Sequence, residues 1–471
     1  MKNFDFIICG NNVGAMVAAI ELAKKSNVAV INPTPNWGAH FAGIKLSEYK
    51  FDIGMNFFEF DSFHKEALDL LTYNPEVRND SARFLPLIKE FFTKRIEVAE
   101  SHNLKTLVNG TFGDDIIIAN NFDILDKLPA DIKNKIIAEL KAILAVPKTE
   151  LHASNKKINE DLFLRTNYKK VSVINHGQTF HDLFIEPLCN KIFNISSEEV
   201  PAIYHRIPWT PLFYPETLLQ AFKDPVYKIK PTLFHYPKTN YFAIALETLL
   251  LEMKSNNNIE FINSKITELK PEGDKYIVET AEEKLSGSTL VWANDLQSLL
   301  SYNKSLRPIT LDKASITVAF LAIKSEFVKT KFSTLYVAAG EELVYRVSNQ
   351  NVCAGLNEEI TKISIELNFD KLNEKGINED QKIKDYIWNF LISSGCLQTA
   401  AEAIFFEVKS IKNAVNLPTL NNFNNFIKNQ QLTGQHFGNV ELVGPASGFG
   451  STSFNCQVVQ GLKLGVKHNK L

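Results

Sequence analysis

Phe4-Asp5-Phe6-Ile7-Ile8-Cys9 is a short, nearly unbroken apolar run, the pattern of a strand buried on both faces. A turn at Gly10-Asn11-Asn12-Val13-Gly14 follows, then an alanine-rich stretch at helical spacing from about Ala15 to Lys25. Val28-Ala29-Val30-Ile31-Asn32 predicts a second strand, broken by Pro33 and Pro35. Strand, helix and strand in this order form a β-α-β unit, whose parallel strands imply an α/β sheet.

From 63 to about 164 the period changes. Apolar residues recur at helical spacing over 64–71, 84–98 and 130–144, which predicts a helical insertion or cap. Between Val171 and Tyr241 prolines and aromatics crowd together, and an ordered irregular segment with turns is expected there. A second α/β stretch begins with a helix over 242–254 and continues with strands at 259–262, 275–280 and 289–293. Residues 315–325, 342–348 and 361–369 predict a separate antiparallel sheet. A last strand over 440–444 leads through a glycine- and serine-rich loop to a helix from about Asn455.

The 471 residues leave room for two to three domains of about 150 residues each. The elements suggest that these are interleaved: one domain from 1–60, 232–305 and 430–471, the other from 61–231 and 306–429. With 51 basic and 53 acidic residues the formal charge is −2, so the chain has neither a nucleic-acid nor a polybasic membrane signature. No signal peptide and no apolar run of about 18 residues is legible, which points to a cytoplasmic protein without a transmembrane segment. A small-molecule substrate is the partner expected; the oligomeric state is not legible. The five cysteines are widely spaced with no CxxC pair, so neither a zinc site nor a disulfide framework is expected.

The chemistry begins at the first turn. A strand, a glycine turn and a helix aim backbone N–H groups and a positive helix end at one point, where a pyrophosphate binds. The G-x-G-x-x-G positions are Gly10, Asn12 and Ala15, and the ribose-binding position at the end of the second strand is Asn32. Asn12 keeps the turn but fills space that a phosphate would approach. His176 and His181 are five apart, a spacing unsuited to a metal, and no metal site is expected. Arg206 and Trp209 lie among aromatics that either line a substrate cavity or brace the surface. Arg346, next to Tyr345 in an apolar strand, needs a partner: a structural acid or a substrate anion.

Further motifs follow in order. They are Asn36-Trp37-Gly38-Ala39-His40, Phe51-Asp52-Ile53-Gly54-Met55-Asn56-Phe57, Phe184 to Phe193 with Pro187 and Lys191, and Tyr236-Pro237-Lys238. Lys265 to Leu269, Tyr345-Arg346-Val347-Ser348, Leu442 to Ala446 and Ser453-Phe454-Asn455 complete the set. Together they resemble the FAD-dependent amine oxidase superfamily, which includes protoporphyrinogen oxidase and, more distantly, UDP-galactopyranose mutase. The resemblance implies a Rossmann-like FAD/NAD(P)-binding domain interleaved with a mixed sheet-plus-helix substrate domain. It implies that Gly10, Asn12, Gly14 and Ala15 face the FAD pyrophosphate and Asn32 the adenosine ribose. Gly38, Ala39, His40 and Gly54 would lie beside the pyrophosphate and flavin, and Ile266 beside the adenine. Gly444 and Pro445 stand at the family's Gly-acid position, and Ser453, Phe454 and Asn455 would point at the flavin. Arg346, Tyr345, Arg206 and Trp209 would bind substrate. Asn12, Asn32, Ala39, His40 and Pro445 depart from the family's usual residues, and Pro445 removes both an acid and an N–H donor.

Three readings follow. The first is an FAD-dependent oxidoreductase of the amine oxidase/protoporphyrinogen oxidase type, with relatives that hint at a bacterial surface-glycan pathway. The second is a non-redox flavoenzyme resembling UDP-galactopyranose mutase. The third is a non-catalytic binding protein that kept the fold and lost FAD.

Overall fold

The computed structural model describes residues 1–60, 75–155, 159–223, 232–450 and 452–469, with 75–82 described by backbone alone. The helical expectation over 64–71 lies outside the described residues.

The opening pattern forms strand β1 (Lys2–Cys9), helix α1 (Val13–Leu22) and strand β2 (Val28–Ile31). Phe6 to Cys9 and all four residues of β2 are buried, as two-sided apolar runs require. In the sheet, β2 lies between β1 and Ile259–Ile262, while β1 pairs on its other side with Lys284–Trp292, all parallel. Lys275–Thr280 and Ile266–Glu272 continue it as an antiparallel meander, and Glu441–Leu442 runs beside Val291 and Trp292. The chain leaves β1 toward β2 on one side and receives Lys284–Trp292 on the other. A crevice therefore opens at the carboxyl end of β1, the usual ligand position in such sheets.

All ten residues of α1 are buried, because the helix Phe454–Asn469 packs along it. Gly461 and Gly465 allow that closeness: a Cβ on Gly461 would come within 2.7 Å of Val17 Cβ and 2.9 Å of the Gly14 carbonyl oxygen.

A second sheet of seven strands runs in the order Ala403–Asn416, Lys313–Lys324, Ile360–Asn368, Val344–Asn349, Thr334–Val337, Lys105–Val108 and Thr111–Asp114. The three strands expected after 315 are present and mutually antiparallel. The last two come from the stretch read as helical: Pro75–Thr93, Ala130–Ala145 and Glu160–Arg165 are helices, but short strands at Val98–Ser101, Lys105–Val108 and Thr111–Asp114 separate them. Strands of four residues are too short to show a period of two.

The proline-rich segment is also more regular than expected. Tyr168–His176, 178–193 and Pro215–Lys223 are helical. Pro215 stands in a first turn, where the missing N–H loses no bond, and Pro187 comes just after the π-helical turn His181–Ile185. Among the described residues, the turns between 194 and 214 keep the irregular character.

Candidate functional site

The first turn of α1 is closed by side chains. Asn12 is its N-cap: Oδ1 accepts the Ala15 N–H at 2.9 Å and Nδ2 donates to the Ala293 carbonyl at 2.5 Å. Gln457, from the helix Phe454–Asn469, accepts the Val13 N–H on Oε1 at 3.2 Å and donates to the Thr452 carbonyl at 3.0 Å. Gln460, one turn on, accepts the Gly444 N–H at 2.6 Å. Gly444 has φ +67°, and a Cβ built there would lie 1.9 Å from Asn12 Nδ2. The Asn12 amide thus fills the space between α1 and the Gly444–Ala446 turn that carries Pro445. Gly10 (φ +124°) permits the tight exit from β1, and a Cβ on Gly14 would press Val443 Cβ at 3.1 Å.

Asn32 is 3% exposed, and both ends of its amide are engaged. Nδ2 donates to the carbonyls of Thr34 (2.7 Å) and Asn36 (3.2 Å), while Oδ1 accepts from the Thr34 N–H and hydroxyl. This is a closed Asx turn. Gly38 (φ +94°) and Ala39 (φ +52°) are both left-handed, and a Cβ on Gly38 would strike Leu246 Cδ1 at 2.1 Å. Ile266 starts the outer strand of the meander beside a bulge.

Beyond this seat a group of aromatic and charged residues runs from His40 to Arg346. His40 is exposed, yet enough protein surrounds the ring that burial, aided by the Arg346 charge, pushes its pKa down to about 4. Phe41 meets Phe454 edge-on at 5.2 Å, and Phe58, Phe92 and Phe242 crowd the same ring. Next to Phe454, Asn455 donates to the Glu59 carbonyl at 2.6 Å. Burial raises the Glu59 pKa against the opposing charge of Arg206. Arg206 Nη1 is held by the Ile117 carbonyl at 2.6 Å, and Trp209, three residues on, adopts φ +56°, unusual for so bulky a residue. The Trp209 ring lies 4.2 Å below the Arg346 guanidinium, which returns the circuit to His40.

Arg346 is a cross-strand neighbour of both Tyr336 and Glu366. Its Nε and Nη2 donate to the Glu366 carboxylate at 2.5 and 2.7 Å, and neither side chain is more than 5% exposed. Of the two partners open to Arg346, the structure provides the acid. The Tyr345 hydroxyl donates to Glu366 at 3.3 Å and the ring is core. Of the four residues assigned to substrate, Arg346, Tyr345 and Arg206 are therefore buried with internal partners.

The two histidines flagged in the sequence meet through Ser172: His176 Nδ1 and His181 Nδ1 lie 3.1 and 3.0 Å from its Oγ. His181 Nε2 continues to Ser197, which donates to Glu186, and a π-helical turn over His181–Ile185 sets that ring. Among the described residues no group of three or more His, Cys, Asp or Glu side chains could hold a metal.

Gln457, Glu59 and Glu366 escaped sequence reading. Two buried glutamines on the glycine-bearing face of the last helix, and a lone acid in an apolar strand matching the lone Arg346, were the available signals.

No protein-family model and no curated protein matches the sequence. Solved structures do match over full length. The chain is similar to reduced UDP-galactopyranose mutase at 13% identity, with a TM-score of 0.71 over 100% of this chain and 95% of that one. It is also similar to an Exiguobacterium protein provisionally identified as a protoporphyrinogen oxidase (12%, TM-score 0.67, 99% and 98% covered). Wild-type putrescine oxidase bound to putrescine matches at 10% with a TM-score of 0.58, covering 100% and 99%. The fold is thus the α/β fold with mixed sheets of FAD-binding amine oxidase-like structures.

The residues of this chain do not fit that cofactor. The Val13 and Ala15 N–H groups that would receive the pyrophosphate are taken by amide oxygens, the Asn12 side chain fills the approach, and Asn32 has no free group for a ribose.

Proposed function

We propose that this chain is a flavin-free binding protein built on the FAD-dependent oxidoreductase fold, with a small molecule as its ligand. The observation that carries this reading is the Asn12 amide, seated across the first turn of α1 where a dinucleotide phosphate would lie. A helix N-terminus attracts anions through unpaired N–H groups and its positive end. Here the Val13 and Ala15 N–H groups already have acceptors, so a pyrophosphate would have to break internal hydrogen bonds and displace a buried side chain.

The exposed surfaces of His40 and Ala39, beside the first turn, favour a second reading, an FAD-dependent oxidoreductase or a flavin-dependent mutase. It needs Asn12 and Gln457 to turn away when FAD enters. An absorption spectrum of the purified protein separates the two. The binding-protein reading expects a colourless protein that stays colourless after incubation with FAD and desalting. Bands near ~370 and ~450 nm that travel with the protein would overturn it.

A further inference from the structure

Two carboxamides from opposite ends of the chain meet at one helix terminus. Val13 and Gln457 are 444 positions apart, yet the Gln457 oxygen caps the first N–H of α1 while the Asn12 oxygen caps the third. Neither is a surface accident: Asn12 is 4% exposed and Gln457 3%. Both amides are anchored at their nitrogen ends, to Ala293 and Thr452, so each oxygen is held in place. One turn along the same helix, Gln460 gives its oxygen to Gly444 and leaves Nε2 buried, with no hydrogen-bond partner in the structure. The seat is therefore bordered by an additional unused donor.

We infer that Asn12 and Gln457 form a built-in plug, two neutral amide oxygens standing where two phosphate oxygens would accept hydrogen bonds, and that they close a diphosphate site which the backbone of this chain still forms. This rests on the flavin-free reading. The backbone elements of such a site are present: a buried ten-residue helix following a strand, the left-handed Gly10 between them, and Gly444 at the facing turn. The plug satisfies the Val13 and Ala15 N–H groups without supplying charge, so the positive end of α1 stays uncompensated. Removing the amides exposes donors already aimed at one point.

The test uses the full chain with FAD, ADP and inorganic pyrophosphate as probes, read by calorimetry, by thermal shift and, for FAD, by absorbance after desalting. Glycine is an accepted N-cap residue, so N12G keeps α1 startable, and Q457A keeps a helix former in place. The N12G/Q457A protein is expected to bind ADP and pyrophosphate at least tenfold more tightly than the unaltered chain, with a matching rise in melting temperature. An unaltered chain that carries or takes up FAD would overturn both the flavin-free reading and the plug. An unaltered chain that stays empty beside a folded double variant that also stays empty would overturn the plug alone. Should the double variant not fold by circular dichroism, Q457A alone decides: it frees the Val13 N–H, and tighter pyrophosphate binding supports the plug while unchanged binding overturns it.

Discussion

At Arg346 a full charge sits in a strand whose neighbours are core residues, and Glu366, Trp209 and Tyr336 surround it. The Coulombic attraction of such a pair roughly offsets its desolvation, so the pair adds little net stability while the loss of one member is costly. E366Q is expected to destabilise the protein by about 3–5 kcal/mol, because Arg346 keeps its charge without a counter-charge. Replacing both residues with apolar ones should restore most of that loss. Urea denaturation of the three proteins checks it; equal midpoints for E366Q and the unaltered chain would show that the pair is dispensable. The same single-residue logic applies to His40, whose low pKa keeps it neutral, and hence a hydrogen-bonding rather than a charged group, throughout the neutral range.

Between elements, glycine lets α1 and the helix Phe454–Asn469 pack closely. At Gly461 an added Cβ would meet Ala18 N and Gly14 O at 2.9 Å, both backbone atoms that cannot rotate away. G461A should therefore lower stability by about 1–3 kcal/mol through overpacking. Gly434, within the helix Leu420–Phe437, has nothing within 4 Å of an added Cβ. There G434A should raise stability by about 0.5–1 kcal/mol, since alanine loses less chain entropy in a helix. Opposite shifts in melting temperature for the two alanines are the expected result; shifts of the same sign would contradict the packing argument. This contact also brings Gln457 to Val13, so the closure of the diphosphate seat depends on helix packing and not on the glycine turn alone.

Across the whole molecule, the N-terminal segment is braced to the second sheet by a buried polar cluster. Asp52 accepts the Tyr236 hydroxyl at 2.5 Å and the Phe242 N–H at 2.9 Å, while Lys362 donates to the carbonyls of Lys50 and Asn240. Burial outweighs these hydrogen bonds and the nearby Lys362, raising the Asp52 pKa to about 6; burial lowers that of Lys362 to about 8. An unfolded aspartate titrates near 3.9, so between about pH 4 and 6 the native state binds more protons. The Asp52 contribution is complete below about pH 4 and is lost as pH rises through 6. Lys362 behaves in the opposite sense: its contribution is complete above about pH 10.4 and is lost as pH falls through 8. D52N removes the first effect, so its stability relative to the unaltered chain should improve by about 2 kcal/mol between pH 4 and pH 7. Denaturation at the two pH values measures this, and a constant difference would place the Asp52 titration elsewhere.

Local periodicity was enough to expose the β-α-β start and three adjacent strands of the second sheet. Those features depend on residues close in sequence, where the period of apolar positions and the backbone freedom of glycine act directly. Four-residue strands at 98–114 and helices begun by proline were hidden for the same reason: each is too short, or too dependent on its neighbours, to impose a period. The candidate site divides in the same way. Asn12, Asn32 and Pro445 stood out because they occupy positions set by a local turn. That the Asn12 amide faces inward, that Gln457 meets it from the far end of the chain, and that Arg346 finds Glu366 across a strand were decided only in three dimensions. Hydrogen bonds and ion pairs between distant segments depend on packing geometry, which no local pattern of residues encodes.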